Sequence, residues 1–184
     1  MVDSHKPVPV FIVMGVCGSG KTSIAEELQK LLGCDYVEGD QLHPPANVEK
    51  MGAGIPLVDD DRWSWLEKIR DTIIERTEGL YNKKEESSRA LVVTCSSLRK
   101  VYRDILCQVP TDKTKVTFVY LKGSPELLAE RMGARKNHFF GASLLQSQLD
   151  TLEEPNAAVE NVIVVDIRPE PKVVAANILS QITI

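Results

Sequence analysis

The sequence predicts an α/β fold in three layers, a five-stranded parallel sheet flanked by helices with a small lid. Three observations predict it. Short apolar runs rich in β-branched residues alternate with segments of helical period, as strands joined by helical crossovers do. The first run, Val8 to Met14, is almost continuously apolar, as a strand covered on both faces requires. A glycine-rich stretch then joins that run directly to an amphipathic segment.

Val8 to Met14 is thus the first strand, and Ile24, Leu28, Leu31 and Leu32 recur at helical spacing after it, with Gly33 as the stop. Cys34 to Val37 reads as a short second strand that delivers Glu38-Gly39-Asp40 to a loop. Gln41 to Asp61, with its prolines, glycines and acids, reads as irregular, holding a short helix near Asn47 to Met51. A longer helix follows with Leu66, Ile69 and Ile73 on one face, and the polar stretch Gly79 to Arg89 reads as an exposed loop. Ala90 to Cys95 is the third strand, Leu98 to Leu106 a helix, Lys115 to Leu121 the fourth strand, and Pro125 to Met132 a helix start. Arg131 to Gly141 is basic, with two aromatics and a closing glycine, and reads as a flap. Leu145, Leu149 and Leu152 share one helical face, Asn161 to Asp166 is the fifth strand, and Val174, Ile178 and Ile182 mark the last helix.

The 184 residues suffice for one domain spanning 1–184 with a core of its own. Hydrophobic residues at 43% and charged residues at 26% are ordinary for a globular cytoplasmic protein. A net charge of −4 gives no reason to expect nucleic acid or an acidic membrane as partner, so any bound anion must be held by local donors. No apolar run approaches the roughly 20 residues of a membrane span, and the polar start of the chain lacks a secretory pattern. Cys17, Cys34, Cys95 and Cys107 are scattered without metal spacing and read as reduced thiols.

Gly15-Val16-Cys17-Gly18-Ser19-Gly20-Lys21-Thr22 fits the pattern GxxxxGK followed by Ser or Thr. Its place between a buried strand and an amphipathic helix is what the chemistry needs. Glycines let successive N–H groups turn inward around phosphates, and the helix start adds partial positive charge. Lys21 would reach the β- and γ-phosphates of ATP, and Thr22 would offer its hydroxyl to Mg²⁺. A plain glycine turn would not need the lysine. A GTPase should also show an Asn-Lys-x-Asp segment, yet Asn82-Lys83 continues as Lys84-Glu85. No acid follows the third strand, where Thr94-Cys95-Ser96-Ser97 stands, which disfavours a motor as well. A three-layer P-loop kinase fold is the expectation.

On the acceptor side, Asp40 follows the second strand at the same sheet edge as the phosphate loop, and is the candidate general base and acceptor-binding residue. His43-Pro44 follows it closely, and Arg62, ending the run Asp59-Asp60-Asp61-Arg62, suits a carboxylate through a bidentate pair. The acidic run alone reads as a capped helix start. Arg131, Arg135 and Lys136, with His138, lie in the flap over about 131–141, where arginines would neutralise the transferring phosphoryl group and exclude water. Trp63 and Trp65 read as packing residues, and the loop near Asp166 to Pro169 as the neighbour of adenine.

Taken together these segments resemble the small gluconate kinases of the P-loop type, nearly end to end. The likeness is carried by the phosphate loop, Gly39-Asp40-Gln41-Leu42-His43-Pro44, Asp59-Asp60-Asp61-Arg62 with Trp65-Leu66, Tyr102-Arg103-Asp104, and Leu144-Leu145-Gln146-Ser147-Gln148. The resemblance implies ATP:D-gluconate 6-phosphotransferase activity with Mg²⁺, feeding the pentose phosphate route, and in many members a homodimer. It implies an acceptor-binding segment over about 40–80, and a substrate set of Asp40, His43, Arg62, Arg103, His138 and Gln148. Cys17, Ser97 and Arg99 stand where serine, alanine and lysine are common in that family. A shikimate kinase would use Asp40 and Arg62 similarly, but the His-Pro pair and the Leu-Leu-x-Ser-Gln segment favour gluconate. A catalytically silent regulatory protein should have lost Lys21, Asp40 or the lid arginines, and all are present.

Overall fold

The computed structural model describes residues 6–82, 89–133 and 138–182, and over 138–142 the backbone alone. Strand β1 (Val8–Met14) leads through the phosphate loop into α1 (Lys21–Leu32), then β2 (Asp35–Glu38) and a 3-10 turn (Gly39–Leu42). Helices α2 (Pro45–Gly52) and α3 (Asp59–Tyr81) precede β3 (Leu91–Thr94) and α4 (Lys100–Leu106). The chain continues as β4 (Thr114–Lys122), α5 (Pro125–Gly133), α6 (His138–Thr151), β5 (Val162–Asp166) and α7 (Pro171–Gln181). The five strands form one parallel sheet in the order β2-β3-β1-β4-β5.

β1 lies at the centre, and its alternation feeds two cores. Phe11 and Val13 face Ile24, Ala25 and Leu28 of α1 and Val174 and Ile178 of α7. Val10, Ile12 and Met14 face Trp65, Leu66, Ile69 and Ile73 of α3, with Tyr102 and Leu106 of α4. Burial on both sides is why this strand is nearly all apolar. Parallel pairing sends every strand's carboxyl end to one edge, where Met14, Glu38, Thr94, Lys122 and Asp166 lie.

Four local expectations change. α3 runs on to Tyr81 through Gly79, because Thr77 and Leu80 are buried and hold the last turns down. The rest of the expected loop, 83–88, lies outside the described residues. α4 starts at Lys100 and not Leu98, because Ser97 sits at φ 48°, left-handed, and Leu98 is buried beneath. Leu31 is 50% exposed, so the core face of α1 is Ile24, Ala25 and Leu28. The expected flap is largely helix, the end of α5 and the start of α6, with 134–137 outside the described residues. Among the described residues no helix is long and apolar enough to cross a membrane.

Candidate active site

The phosphate loop is shaped by its glycines and tied by its own backbone. Gly15, at φ 146°, is pressed so closely that a Cβ would stand 2.9 Å from Ser19 Oγ and 3.1 Å from the Leu121 carbonyl. Ser19 donates from its hydroxyl (2.8 Å) and its N–H (3.3 Å) to the Val16 carbonyl, closing the loop on itself. Gly20, at φ 87°, precedes α1 in the left-handed region, without a side-chain cap. The first turn of α1 carries no acid, leaving its N-terminal dipole available to an anion.

Lys21 Nζ curls back to donate to the carbonyls of Gly15 (3.0 Å) and Val16 (3.2 Å). Burial holds its ammonium below the ordinary lysine range, while the charge of Asp40 works in the opposite direction. Thr22 donates its hydroxyl to Glu38 Oε2 at 2.9 Å. The same oxygen accepts the Tyr36 hydroxyl at 2.6 Å, and Oε1 accepts the Thr94 hydroxyl. Burial pushes the Glu38 carboxyl up, but the hydroxyls of Thr94, Tyr36 and Thr22 outweigh it and leave the net shift downward. The sequence reading passed over Glu38. Its only signal there is an acid one residue before Gly39-Asp40 at a strand end.

A cavity of about 260 Å³ opens beside Lys21. Cys17, Lys21, Asp40, His43, Arg62 and Gln148 all line it, with Met51, Ile55 and Leu144 as its apolar part. Asp40 stands on the 3-10 turn, and Gly39 before it has no room for a side chain: a Cβ would lie 2.0 Å from the Thr94 carbonyl. Gly39 N–H donates to Thr94 Oγ1 (3.0 Å), and its carbonyl accepts Trp65 Nε1–H (2.8 Å), so the turn carrying Asp40 is pinned to β3 and α3. His43 stacks on Trp65 at 4.0 Å between ring centroids. Trp65 is therefore the packing residue expected, and also the platform for a cavity side chain.

Asn47 sets which nitrogen of His43 carries the proton. Its Nδ2 donates to the Asp61 carbonyl at 2.7 Å and lies 3.2 Å from His43 Nδ1. A carbonyl only accepts, so the amide nitrogen must face this way, and Nδ1 is the bare acceptor. Nε2 then bears the hydrogen of a neutral ring. Burial keeps the His43 pKa below its ordinary 6.5, Asp40 pulling it back up and Arg62 adding to the fall.

Arg62 donates to the Leu57 carbonyl (3.2 Å) and lies 5.7 Å from the centre of the Tyr102 ring. The acids before it cap and anchor α3. Asp61 accepts the Val58 N–H at 3.0 Å and the Lys50 ammonium at 2.7 Å, and Asp59 accepts the Tyr102 hydroxyl and Arg99. Gln148 joins the phosphate loop to the cavity: its Oε1 accepts the Cys17 N–H at 2.7 Å from a helix 131 residues away. Arg131 donates to the Ile167 carbonyl and lies 3.9 Å from where a Cβ on Gly20 would stand. The end of α5, the loop after β5 and the phosphate loop thus meet.

Arg103 stands elsewhere. It is 1% exposed, paired with Glu160 at 2.6 and 3.1 Å, and donates to the carbonyls of Ser97 and Glu153. With its donors committed to this buried clamp it does not line the cavity, and its expected place in the substrate set is corrected to a structural one. Arg135 and the side chain of His138 lie outside the described residues. A larger groove of about 610 Å³ beside β4 and α5 touches the phosphate loop only at Val16 and holds neither Lys21 nor Asp40.

Residues 12–139 match the family model described as AAA domain. The thermoresistant gluconokinase of Escherichia coli is 39% identical to this chain, over 92% of it and 91% of that protein. A probable gluconokinase of Schizosaccharomyces pombe is 42% identical, over 86% of this chain and 79% of that protein. The crystal structure of a gluconokinase from Sinorhizobium meliloti superposes with a TM-score of 0.78 at 40% identity, covering 95% of this chain and 91% of that one. Such identity over almost the whole length, with the phosphate loop and the Asp40 turn brought to one cavity, places the chain in the gluconokinase family.

Proposed function

We propose that the chain transfers the γ-phosphoryl group of ATP to the C6 hydroxyl of D-gluconate, giving 6-phospho-D-gluconate. The observation that carries this reading is the convergence of Lys21, Asp40, His43 and Arg62 on one cavity that opens against the phosphate loop. Its volume, about 260 Å³, lies below the roughly 300–1,000 Å³ of pockets for drug-sized ligands and suits a six-carbon acid. Related proteins named gluconokinases favour this acceptor over shikimate, and the intact loop favours an enzyme over a silent nucleotide binder.

The loop N–H groups and Lys21 hold the phosphates, exchanging the lysine's carbonyl partners for charged oxygens. Asp40 orients the attacking hydroxyl in line and takes its proton as transfer proceeds. Neutral His43 offers Nε2–H to a sugar hydroxyl, and Arg62 pairs with the carboxylate. Arg131, with Arg135 from the lid, spreads charge on the phosphoryl group in flight. The loop over Asp166 to Pro169 flanks adenine. The hard hydroxyl oxygen of Thr22 would suit magnesium, which would neutralise the charge that develops on the phosphates during transfer. These parts belong to one domain, with the acceptor segment over about 40–80 and the lid over about 131–141.

The test is a coupled ATP-consumption assay comparing gluconate, shikimate, AMP and no acceptor. Turnover with gluconate alone is expected. Turnover without an acceptor preference, or none at all, would remove the reading.

A further inference from the structure

We propose that Gln148 is a positioning residue that joins the acceptor cavity to the phosphate loop, so that gluconate and the nucleotide strengthen each other's binding. The starting point is one peptide unit. Its carbonyl, that of Val16, accepts the Ser19 hydroxyl at 2.8 Å and Lys21 Nζ at 3.2 Å. Its N–H, that of Cys17, donates to Gln148 Oε1 at 2.7 Å. Because the unit is planar, its two ends turn together. The phosphate loop fixes one end, and a side chain of α6 fixes the other. Gln148 therefore helps to set the orientation of a carbonyl that Lys21 holds.

The other half of the amide is left for a ligand. Cys17 N–H can only donate, so the atom facing it is the amide oxygen, and Nε2 with its two hydrogens is turned elsewhere. Among the described residues Nε2 has no hydrogen-bond partner. Gln148 lines the same cavity as Asp40, His43 and Arg62, as does Leu144 one helical turn before it. A sugar acid in that cavity is rich in oxygen acceptors. An amide hydrogen given to one of them holds the amide plane, and with it the oxygen on Cys17 N–H. Hydrogen bonds at both ends of one amide also polarise each other. The chain just past α6 is tied down: Glu153 N–H donates to the Leu98 carbonyl, and its carboxylate accepts the Lys100 N–H, both at 2.8 Å. Occupation of the cavity thus steadies the phosphate loop, and by linkage an occupied loop favours the acceptor by the same factor. The inference rests on the reading of this cavity as the gluconate site.

The experiment titrates gluconate into the full chain by calorimetry, with Mg²⁺ throughout, without and with saturating ADP, which has no γ-phosphoryl group to transfer. Wild-type protein is expected to bind gluconate about fivefold or more tightly with ADP present. Gln148→Met, similar in size but lacking both amide groups, is expected to bind ADP alone nearly as wild type does and to lose that gain. Gln148→Glu keeps an oxygen for Cys17 N–H but has no NH₂ group, and should lose the gain as well. A wild-type gain in either variant overturns the proposal. So does a variant that binds each ligand more weakly at an unchanged gain, which would make Gln148 a support of the fold alone. Gluconate binding by wild type with no gain removes the coupling and leaves the acceptor reading standing. No gluconate binding under either condition removes both. Should Gln148→Met fail to fold, Gln148→Glu decides alone.

Discussion

Asn47→Ala should damage the acceptor cavity without touching the phosphate loop. Asn47 is 3% exposed, and its side-chain nitrogen spans the Asp61 carbonyl at 2.7 Å and His43 Nδ1 at 3.2 Å. Two hydrogen bonds worth about 0.5–1.5 kcal/mol each disappear, and a half-buried ring nitrogen is left without its donor. The expected loss of stability is about 2–3 kcal/mol, read as a lower urea midpoint at constant slope. His43 then loses what fixes its tautomer, so Nε2–H is no longer guaranteed to face the substrate. KM for gluconate should rise while KM for ATP changes little.

The tautomer is directly visible. With three histidines in the chain, ¹⁵N spectra assign His43 by comparison with a His43→Gln variant. In wild type the bare nitrogen should be Nδ1; in Asn47→Ala both tautomers should exchange. A wild-type ring protonated at Nδ1, or a variant of unchanged stability and tautomer, would refute the reasoning. The same ring sets a pH dependence. Its folded pKa lies below 6.5, so unfolded chains take up a proton that folded ones refuse. Its contribution to stability is present above 6.5 and is lost as pH falls through the window beneath it.

Asp40→Asn should lower kcat far more than it weakens ATP binding; a change confined to ATP affinity, measured by calorimetry, would remove its acceptor-side role. Gly39→Ala cannot be absorbed by side-chain adjustment, because its Cβ would meet the Thr94 carbonyl at 2.0 Å. We expect a destabilised protein whose remaining folded fraction has raised KM for gluconate, since the turn carrying Asp40 must shift. Arg103→Ala should cost about 3–5 kcal/mol by leaving Glu160 buried without its partner, with kcat of the folded protein near normal at low temperature. A large kcat defect in a stable Arg103→Ala protein would return that arginine to the substrate set.

What the sequence makes legible is what depends on near neighbours. The phosphate loop is eight consecutive residues whose roles follow from backbone conformation and charge, and the Asp40 turn lies directly after a strand. Gln148 shows the opposite case. Its bond to the Cys17 N–H joins residues 131 apart, and no period or spacing reports it. Asn47 is hidden for another reason: a polar residue on a short helix looks solvated until its burial is known. Arg103 and Arg62 both stand near Trp, Tyr and acids in the sequence. Only the fold separates the arginine locked to Glu160 from the one bonded to a lone carbonyl. Ser97, left-handed at φ 48°, moves a helix start by two residues, and nothing in its type forecasts that.

The difference between Arg103 and Arg62 suggests a means by which a chain of net charge −4 would hold the two anions of the proposed reaction side by side. Lys21, Arg62 and Arg131 each donate to backbone carbonyls, of Gly15 and Val16, of Leu57, and of Ile167, and among the described residues none pairs with a carboxylate. Arg99, Arg103 and Arg168 are instead engaged by Asp59, Glu160 and Asp166. A neutral carbonyl keeps a cation in place but is a weaker partner than a phosphate or carboxylate oxygen. Exchange for a charged ligand is therefore downhill, whereas an arginine already in an ion pair would have to break it. Arg89 shows that the pattern alone is insufficient. It too bonds a carbonyl, that of Lys6, but Lys6 precedes β1 and so marks the amino-terminal edge of the sheet, away from the phosphate loop. In the proposed mechanism the carbonyl-held cations at the carboxyl edge would bind the anions, because only there do the loop N–H groups and the start of α1 add to their field.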